Sequence, residues 1–325
     1  MMKKTVTKKI LGYIFKILIS GGLLWYILTK VPLDDIGATL IDANLFLYCI
    51  AFLVTFGVCY LAALQFRMLN LPFGIDLKTL DIMQVNFITS FYTLFLPGYL
   101  AGGAVKWVKM QKLAKRPAEF FITIILNRYI ELGSVFLMGV FFMIPYLLNN
   151  AFYSTFWLLI GISIILIFLY CSAFSKRMLK FIQGFVARLT VLPPFVRNKI
   201  EKLYTVITSL HELPFSTHFH IIINCLIRQL LAVGGFLIVA RSVSLPVSYG
   251  DIAWMRSVVI ILGMLPISIG NLGVREASLV VILGQFDVVP SMALSFSVLI
   301  LLRKIVLVFI GGTLELLGRP RQGDE

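Results

Sequence analysis

The sequence predicts an all-α polytopic membrane protein with about six full spans and two opposed re-entrant hairpins, arranged as an inverted repeat. Three observations predict it. The chain is 59% hydrophobic and only 14% charged, with a mean hydropathy of +0.96, whereas a soluble domain carries about 25% charged residues. Apolar runs of about 20 residues, the length of a membrane-crossing helix, recur along it. Two further apolar runs are broken by proline and glycine in their middles. The runs are continuous rather than alternating, which argues against a β-barrel.

The first span is expected at residues 10–29, behind Lys3, Lys4, Lys8 and Lys9. No small-x-small cleavage site follows before Lys30, so the segment reads as a retained helix rather than a signal peptide. The second span is expected at 45–66. The loop between them carries Asp34, Asp35 and Asp42. The positive-inside bias therefore places the N-terminus in the cytoplasm and this loop outside. Residues 81–105 are apolar but hold Pro97, Gly98, Gly102 and Gly103, and the cytoplasmic run Lys106, Lys109, Lys112, Lys115 and Arg116 follows at once. Both flanks lie on one side, so this segment reads as a re-entrant hairpin; a single crossing with a misplaced loop is the alternative.

Spans three and four follow at 120–147 and 155–173. Residues 175–215 are basic, with Lys176, Arg177, Lys180, Arg188, Arg197, Lys199 and Lys202. They read as a cytoplasmic amphipathic linker drawn to anionic lipid, or as a solvated loop that only sets topology. The fifth span is expected at 218–240. Residues 252–287 form a second hairpin, dipping from the outer face, with Pro266, Gly270, Asn271 and Gly273 near its tip. The last span, 289–314, returns to a basic cytoplasmic tail. The whole is one integral membrane domain with repeat-like halves at approximately 45–147 and 218–314.

The two hairpins share a short pattern. LPGYLAGGAVK (96–106) and LPISIGNLGVR (265–275) both begin Leu-Pro, hold two glycines and place a cation nine residues after the proline. Lys106 thus matches Arg275. Opposed span–hairpin–span units are the signature of an inverted-topology repeat, whose binding site lies near the midplane. Backbone groups at such tips must be buried in protein or line a wet cavity, and glycine permits close approach of a ligand.

Charges inside the apolar segments are Arg128, Glu131, Arg228, Arg256, Arg275, Glu276, Arg303 and Lys304. Each is costly in a bilayer and normally faces a partner or a cavity. Arg128 and Glu131 are three apart on one helix face and suited to pair. Glu276 has Arg275 or Arg256 as partner. Two acids against six cations leave an excess that a ligand phosphate or carboxylate would neutralise, although Arg303 or Lys304 could snorkel instead. Structural ion pairing is the competing account of any single residue. The net charge of +14 is that of basic cytoplasmic loops, and nucleic acid is not an expected partner. Cys49, Cys59, Cys171 and Cys225 lie in or beside apolar segments without metal-ligand spacing and read as small buried hydrophobes.

The stretch Arg256…Pro266…Gly270…Gly273…Arg275-Glu276 resembles the lysylphosphatidylglycerol synthase transmembrane-region family, also called the flippase-like domain family. LPGYLAGGAVKWVKM is similar to that family's proline-glycine landmark, and NRYIEL to its charged segment one helix later. Asn127 stands where members often carry an acid, while Arg128 and Glu131 match. The resemblance implies membrane lipid handling. In the two-domain relatives, the multiple peptide resistance factors, a cytosolic domain attaches an amino acid to phosphatidylglycerol and the membrane region moves the product. The eleven residues after the last span leave no room for such a domain. The expected activity is therefore translocation or lipid binding, with a polyprenyl-phosphate lipid also in play.

The leading expectation is a flippase moving an anionic lipid across a cytoplasmic membrane, as in a bacterial inner membrane. Substrate contacts are expected from Arg275, Arg256, Arg228, Arg128, Lys106 and Arg303, with Glu276 and Glu131 orienting them. The alternatives are an intramembrane glycosyl- or acyl-transferring enzyme with Glu276 as base, or a non-catalytic partner subunit of a lipid-modifying enzyme. No DxD motif is present, His218 and His220 do not make a metal site, and neither metal nor cofactor is expected. Partners are an anionic lipid and the membrane, with a lipid-modifying enzyme or a second copy of the chain as further candidates.

Overall fold

The computed structural model describes residues 33–95, 101–146, 153–173, 215–264 and 272–318. Ten α-helices and two short 3-10 turns make up the secondary structure of these residues. They are α1 (Leu33–Ile41), α2 (Leu45–Asn70), α3 (Thr79–Phe95), α4 (Ala101–Leu113), α5 (Pro117–Met143), α6 (Tyr153–Ala173), α7 (Phe215–Ser242), α8 (Tyr249–Met264), α9 (Val274–Gly284) and α10 (Pro290–Leu316).

Four stretches are long and apolar enough to cross a membrane: Leu45–Phe73, Pro117–Tyr146, Ser216–Ser242 and Pro290–Leu316. They coincide with the second, third, fifth and last spans read from the sequence. The fourth corresponds to α6, which is apolar over Tyr153–Phe168. The first expected span and the 175–214 part of the linker lie outside the described residues. Leucines and phenylalanines are exposed along these helices, among them Leu53, Phe141, Phe168 and Phe309. In a water-soluble protein such a surface would be a liability. Against lipid tails it costs nothing.

Each Pro/Gly-bearing segment has a helix on either side of residues that lie outside the described ones. In the first, α3 and α4 flank residues 96–100; in the second, α8 and α9 flank 265–271. One boundary differs from the sequence reading. The second arm of the first element does not stop at Val105 but continues to Leu113. Lys106, Lys109 and Lys112 therefore lie on the arm itself. Lysine is a good helix former, so a charge run does not by itself end a helix.

Two compact units are formed. One draws on Met1–Gly57, Asn86–Val105 and Leu230–Arg319; the other on Val58–Val85, Lys106–Gln229 and Pro320–Glu325. The division falls inside α2, α3, α4 and α7.

In the first unit, α1 packs on α10, and α9 packs on both α8 and α10. Ile36 and Leu294 form one buried contact, with Leu40, Ala277 and Val280 around it. Local chemistry sets the helix starts. Asn44 Oδ1 accepts the Leu47 N–H at 3.1 Å, an ordinary N-cap. Ser248 and Asp251 form a reciprocal capping box, at 3.2 and 2.7 Å, that opens α8. Gly311 and Gly312 let α10 approach α3 closely: a methyl at Gly311 would collide with the Phe87 carbonyl, and one at Gly312 would sit 3.0 Å from the Phe91 ring.

In the second unit, Ala63, Phe66, Ile75, Ile82, Val85, Met110 and Phe120 form the core. The Trp107 indole N–H donates to the Pro117 carbonyl at 2.8 Å, tying α4 to the start of α5. Helix α6 packs along α5.

Candidate functional site

Each unit holds a buried cluster of charge, and the two are built differently.

In the first unit the cluster lies at the start of α9. Gly273 has φ +82°, a conformation that glycine adopts without steric cost. The Glu276 carboxylate accepts the Gly273 N–H at 2.7 Å. This is the backward half of a capping box; glycine has no side chain to supply the forward half. The other carboxylate oxygen accepts from Arg275, at 2.5 and 3.1 Å, and from the Ser297 hydroxyl of α10 at 3.1 Å. Arg275 also reaches Ser297 at 3.2 Å. Between Arg275 and Arg256, Glu276 thus pairs with Arg275. Lys304 is close enough to Arg275 and Glu276 to interact with both electrostatically.

Arg303 is buried at 6% exposure, donates to the Gly235 carbonyl at 3.3 Å and lies 4.9 Å from the Phe236 ring centre. It does not snorkel to an interface. Arg256 lies 5.7 Å from the same ring, so Phe236 receives two guanidiniums, in the range of cation–π attraction.

The second unit's cluster centres on Glu131 of α5. Its carboxylate pairs with Arg128 on the same helix at 2.9 Å and with Arg228 of α7 at 3.1 Å. Lys106 lies within electrostatic reach of both Glu131 and Arg228, and its ammonium sits 3.7 Å from the centre of the Phe66 ring. Among the described residues, two arginines pair with this acid and a lysine lies within its electrostatic reach.

A column of polar groups runs through the same place, Glu131 among them. Thr123, Asn127, Glu131 and Ser134 recur at helical spacing on one face of α5. Thr123 donates to Asn70 at 3.1 Å, Asn127 accepts from the Gln65 amide at 3.1 Å, and Ser134 accepts from the Gln229 amide and the Cys225 thiol, both at 3.1 Å. Among the described residues of this unit, Gln65 Oε1, Gln111 Nε2, Asn224 Oδ1 and Arg228 Nε are buried and find no hydrogen-bond partner. Gln65 is fully buried, and Asn224 and Arg228 are 7% and 6% exposed. Leaving such atoms unmet in a low-dielectric interior is costly.

The sequence-predicted residues thus separate. Lys106, Arg128, Glu131 and Arg228 come together in one unit; Arg256, Arg275, Glu276 and Arg303 belong to the other. Gly273 caps α9, and a methyl on Gly102 would meet Thr93 at 2.5 Å. Gly103 is half-buried on α4. Pro97, Gly98, Pro266, Gly270 and Asn271 lie outside the described residues. Of the cysteines, Cys225 is buried as expected, but Cys49 is exposed on the apolar helix α2 and Cys59 is intermediate; an exposed thiol costs little against lipid. Gln65, Asn70, Thr123, Ser134, Asn224 and Gln229 were not singled out in the sequence, because uncharged polar residues in apolar runs carry no charge signal. The i, i+4, i+8, i+11 spacing of Thr123, Asn127, Glu131 and Ser134 was the available clue.

Long apolar helices with ion pairs buried among them define an α-helical membrane protein that keeps polar chemistry inside its fold. The family model described as the lysylphosphatidylglycerol synthase TM region matches residues 13–312, and the chain belongs to that family. No curated protein matches the chain, and no solved structure does.

Proposed function

We propose that this protein moves an anionic, phosphate-bearing lipid across a bacterial inner membrane. In this reading six spans carry two re-entrant hairpins, α3–α4 and α8–α9, which enter from opposite faces as an inverted repeat, with both termini cytoplasmic. The carrying observation is the charge imbalance around Glu131. Among the described residues, Arg128 and Arg228 pair with the Glu131 carboxylate and Lys106 lies within its electrostatic reach, and an intramembrane cation normally has an acid or a ligand to answer it. The headgroup phosphate supplies the missing negative charge. Arg228, whose Nε is open, makes the principal contact, with Arg128 and Lys106 beside it and Glu131 orienting the two guanidiniums. Arg275, Glu276, Arg256 and Arg303 hold the restart of α9 and its neighbours in place, so that the second hairpin keeps its shape as lipids pass.

The test is leaflet exchange of labelled phosphatidylglycerol in liposomes holding the purified full-length chain. Exchange should exceed that of protein-free liposomes. Arg228→Gln should lower it at least about tenfold, the worth of one charge-assisted hydrogen bond, in protein whose melting transition shows that it is folded at the assay temperature. Wild-type protein that leaves exchange at the protein-free rate sinks the transport reading. A new lipid species in the same vesicles, seen by mass spectrometry, would make the protein a lipid-modifying enzyme instead.

A further inference from the structure

We infer that one end of the second unit is a docking face for the acidic lipids of the surrounding leaflet, and that α4 stands across the level where lipid tails give way to headgroups. The inference concerns the rim of the unit, apart from the Glu131 cluster, and does not depend on transport.

Two membrane-crossing stretches mark this end. Leu45–Phe73 stops there and Pro117–Tyr146 begins there. Ile75, just beyond the first limit, and Phe120, just inside the second, share one core with Met110 of α4. Leu77, Leu113 and Ala114 pack against that core. The fold therefore brings their neighbours Lys78, Lys112, Lys115 and Arg116 to the same end, all of them exposed.

Helix α4 supplies a depth scale. Ala104, Val108 and Lys112 are exposed at successive turns, so they share one face. That face changes from apolar to cationic between Val108 and Lys112, about 6 Å apart along the axis. Leu71 and Leu80 are also exposed at this end, at 45% and 62%, and Val108 at 48%. Water penalises such side chains, whereas lipid tails accept them, and lysines at their border extend to the phosphate layer. Trp107, whose indole N–H donates to the Pro117 carbonyl at 2.8 Å, suits the same border, where tryptophan is enriched.

The charge at this end is not neutralised internally. Asp76 pairs with Arg67 at 2.8 Å and Glu119 with Arg116 at 3.5 Å. Asp81, in the first turn of α3, is a further acid. Lys78, Lys112 and Lys115 have no ion pair among the described residues. A soluble acidic partner, or water alone, would be met by a wholly polar face. Exposed Leu71, Leu80 and Val108 beside the lysines fit a partner that is apolar at one level and anionic at the next, as a leaflet containing acidic lipid is.

The test reads which lipid gathers at this face. Val108→Cys carries a fluorophore in the full-length chain, with Cys49, Cys59, Cys171 and Cys225 replaced by serine. The protein is placed in phosphatidylcholine vesicles, and tail-brominated phosphatidylglycerol or tail-brominated phosphatidylcholine is the quencher. Phosphatidylglycerol should reach half-maximal quenching at a membrane share at least about fivefold lower, the worth of about one lysine at an anionic surface. High salt should narrow the gap. Lys78→Gln, Lys112→Gln and Lys115→Gln together should bring the two curves into one. Native mass spectrometry of the chain with its own cysteines, with and without these three changes, repeats the comparison as retained lipid and does not need the labelled variant to fold. Coincident curves on the unaltered lysines would overturn the preference for acidic lipid. A gap that survives all three changes would overturn its assignment to these residues. No quenching by either lipid would place Val108 in water and overturn the depth of α4. Polyglutamate that abolishes the gap by binding the face would make its partner an acidic protein instead.

Discussion

The Arg275–Glu276 cluster and the Arg128–Glu131–Arg228 cluster use the same two residue types inside the same membrane protein, yet one is closed and the other open. Around Glu276 the contacts among the described residues are internal. One carboxylate oxygen takes the backbone N–H of Gly273, and the other takes Arg275 and Ser297. The carboxylate occupies the N-terminal end of α9, where a bound anion would otherwise be favoured. Around Glu131 the acid is outnumbered, and the polar atoms of Gln65, Asn224 and Arg228 remain unmet. The difference teaches that a buried ion pair is not evidence of a binding site. The ratio of charges and the count of open hydrogen-bonding atoms separate a structural clasp from a place prepared for something else.

The largest expected effect breaks the open cluster at its centre. Glu131→Leu removes the carboxylate that pairs with Arg128 and Arg228, and removing one partner from a buried ion pair costs about 3–5 kcal/mol. Low yield and a collapsed melting transition in detergent are expected. Arg228→Leu in the same chain should restore part of the loss, because it removes one of the stranded charges. A double variant no more stable than Glu131→Leu would show that the two residues are not coupled. Glu276→Gln should cost less, since the amide oxygen still accepts the Gly273 N–H and only one arginine loses its counter-ion.

A middle-sized effect tests the helix packing of the two units. In the first, Gly311→Ala drives a methyl into the Phe87 carbonyl. That atom is backbone and cannot swing away, so about 1–3 kcal/mol of overpacking cost is expected. In the second, Gly133 of α5 has nothing within 4 Å of an added methyl. Gly133→Ala should be neutral or gain up to about 1 kcal/mol from helix propensity. Melting curves of both variants check the pair, and a stabilising Gly311→Ala would refute the close approach of α10 to α3.

Much of this contrast was legible in the sequence, and the part that was not has a physical reason. Apolar length marked the four long spans, because the bilayer imposes it. Arg128 and Glu131 are one helical turn apart, and Arg275 and Glu276 are adjacent, so both pairs could be read from local spacing alone. The bond from Arg228 to Glu131 joins residues 97 apart and depends on which helices pack, which no local pattern states. The same holds for Ser297 as the second donor to Glu276. The lysines at 106, 109 and 112 mark a side of α4 rather than its end, and a charge run alone does not distinguish the two.

The smallest expected effect asks whether burial, rather than bond length, makes the Glu131 cluster matter. Arg67 and Asp76 sit 2.8 Å apart, as close as Arg128 and Glu131 at 2.9 Å. Their side chains are 35% and 62% exposed, however, whereas Glu131 is 24% exposed and its second partner, Arg228, only 8%. Water solvates both Arg67 and Asp76 once they part, so an exposed pair contributes about 0–1 kcal/mol. Asp76→Asn should therefore move the melting transition by less than about 1 kcal/mol, and high salt should shrink even that. Glu131→Gln, which keeps the shape and removes the charge, should remain costly at every salt concentration, because ions do not reach a buried site. Equal sensitivity of the two variants to salt would place Glu131 in water and remove the ground for treating its cluster as a low-dielectric site.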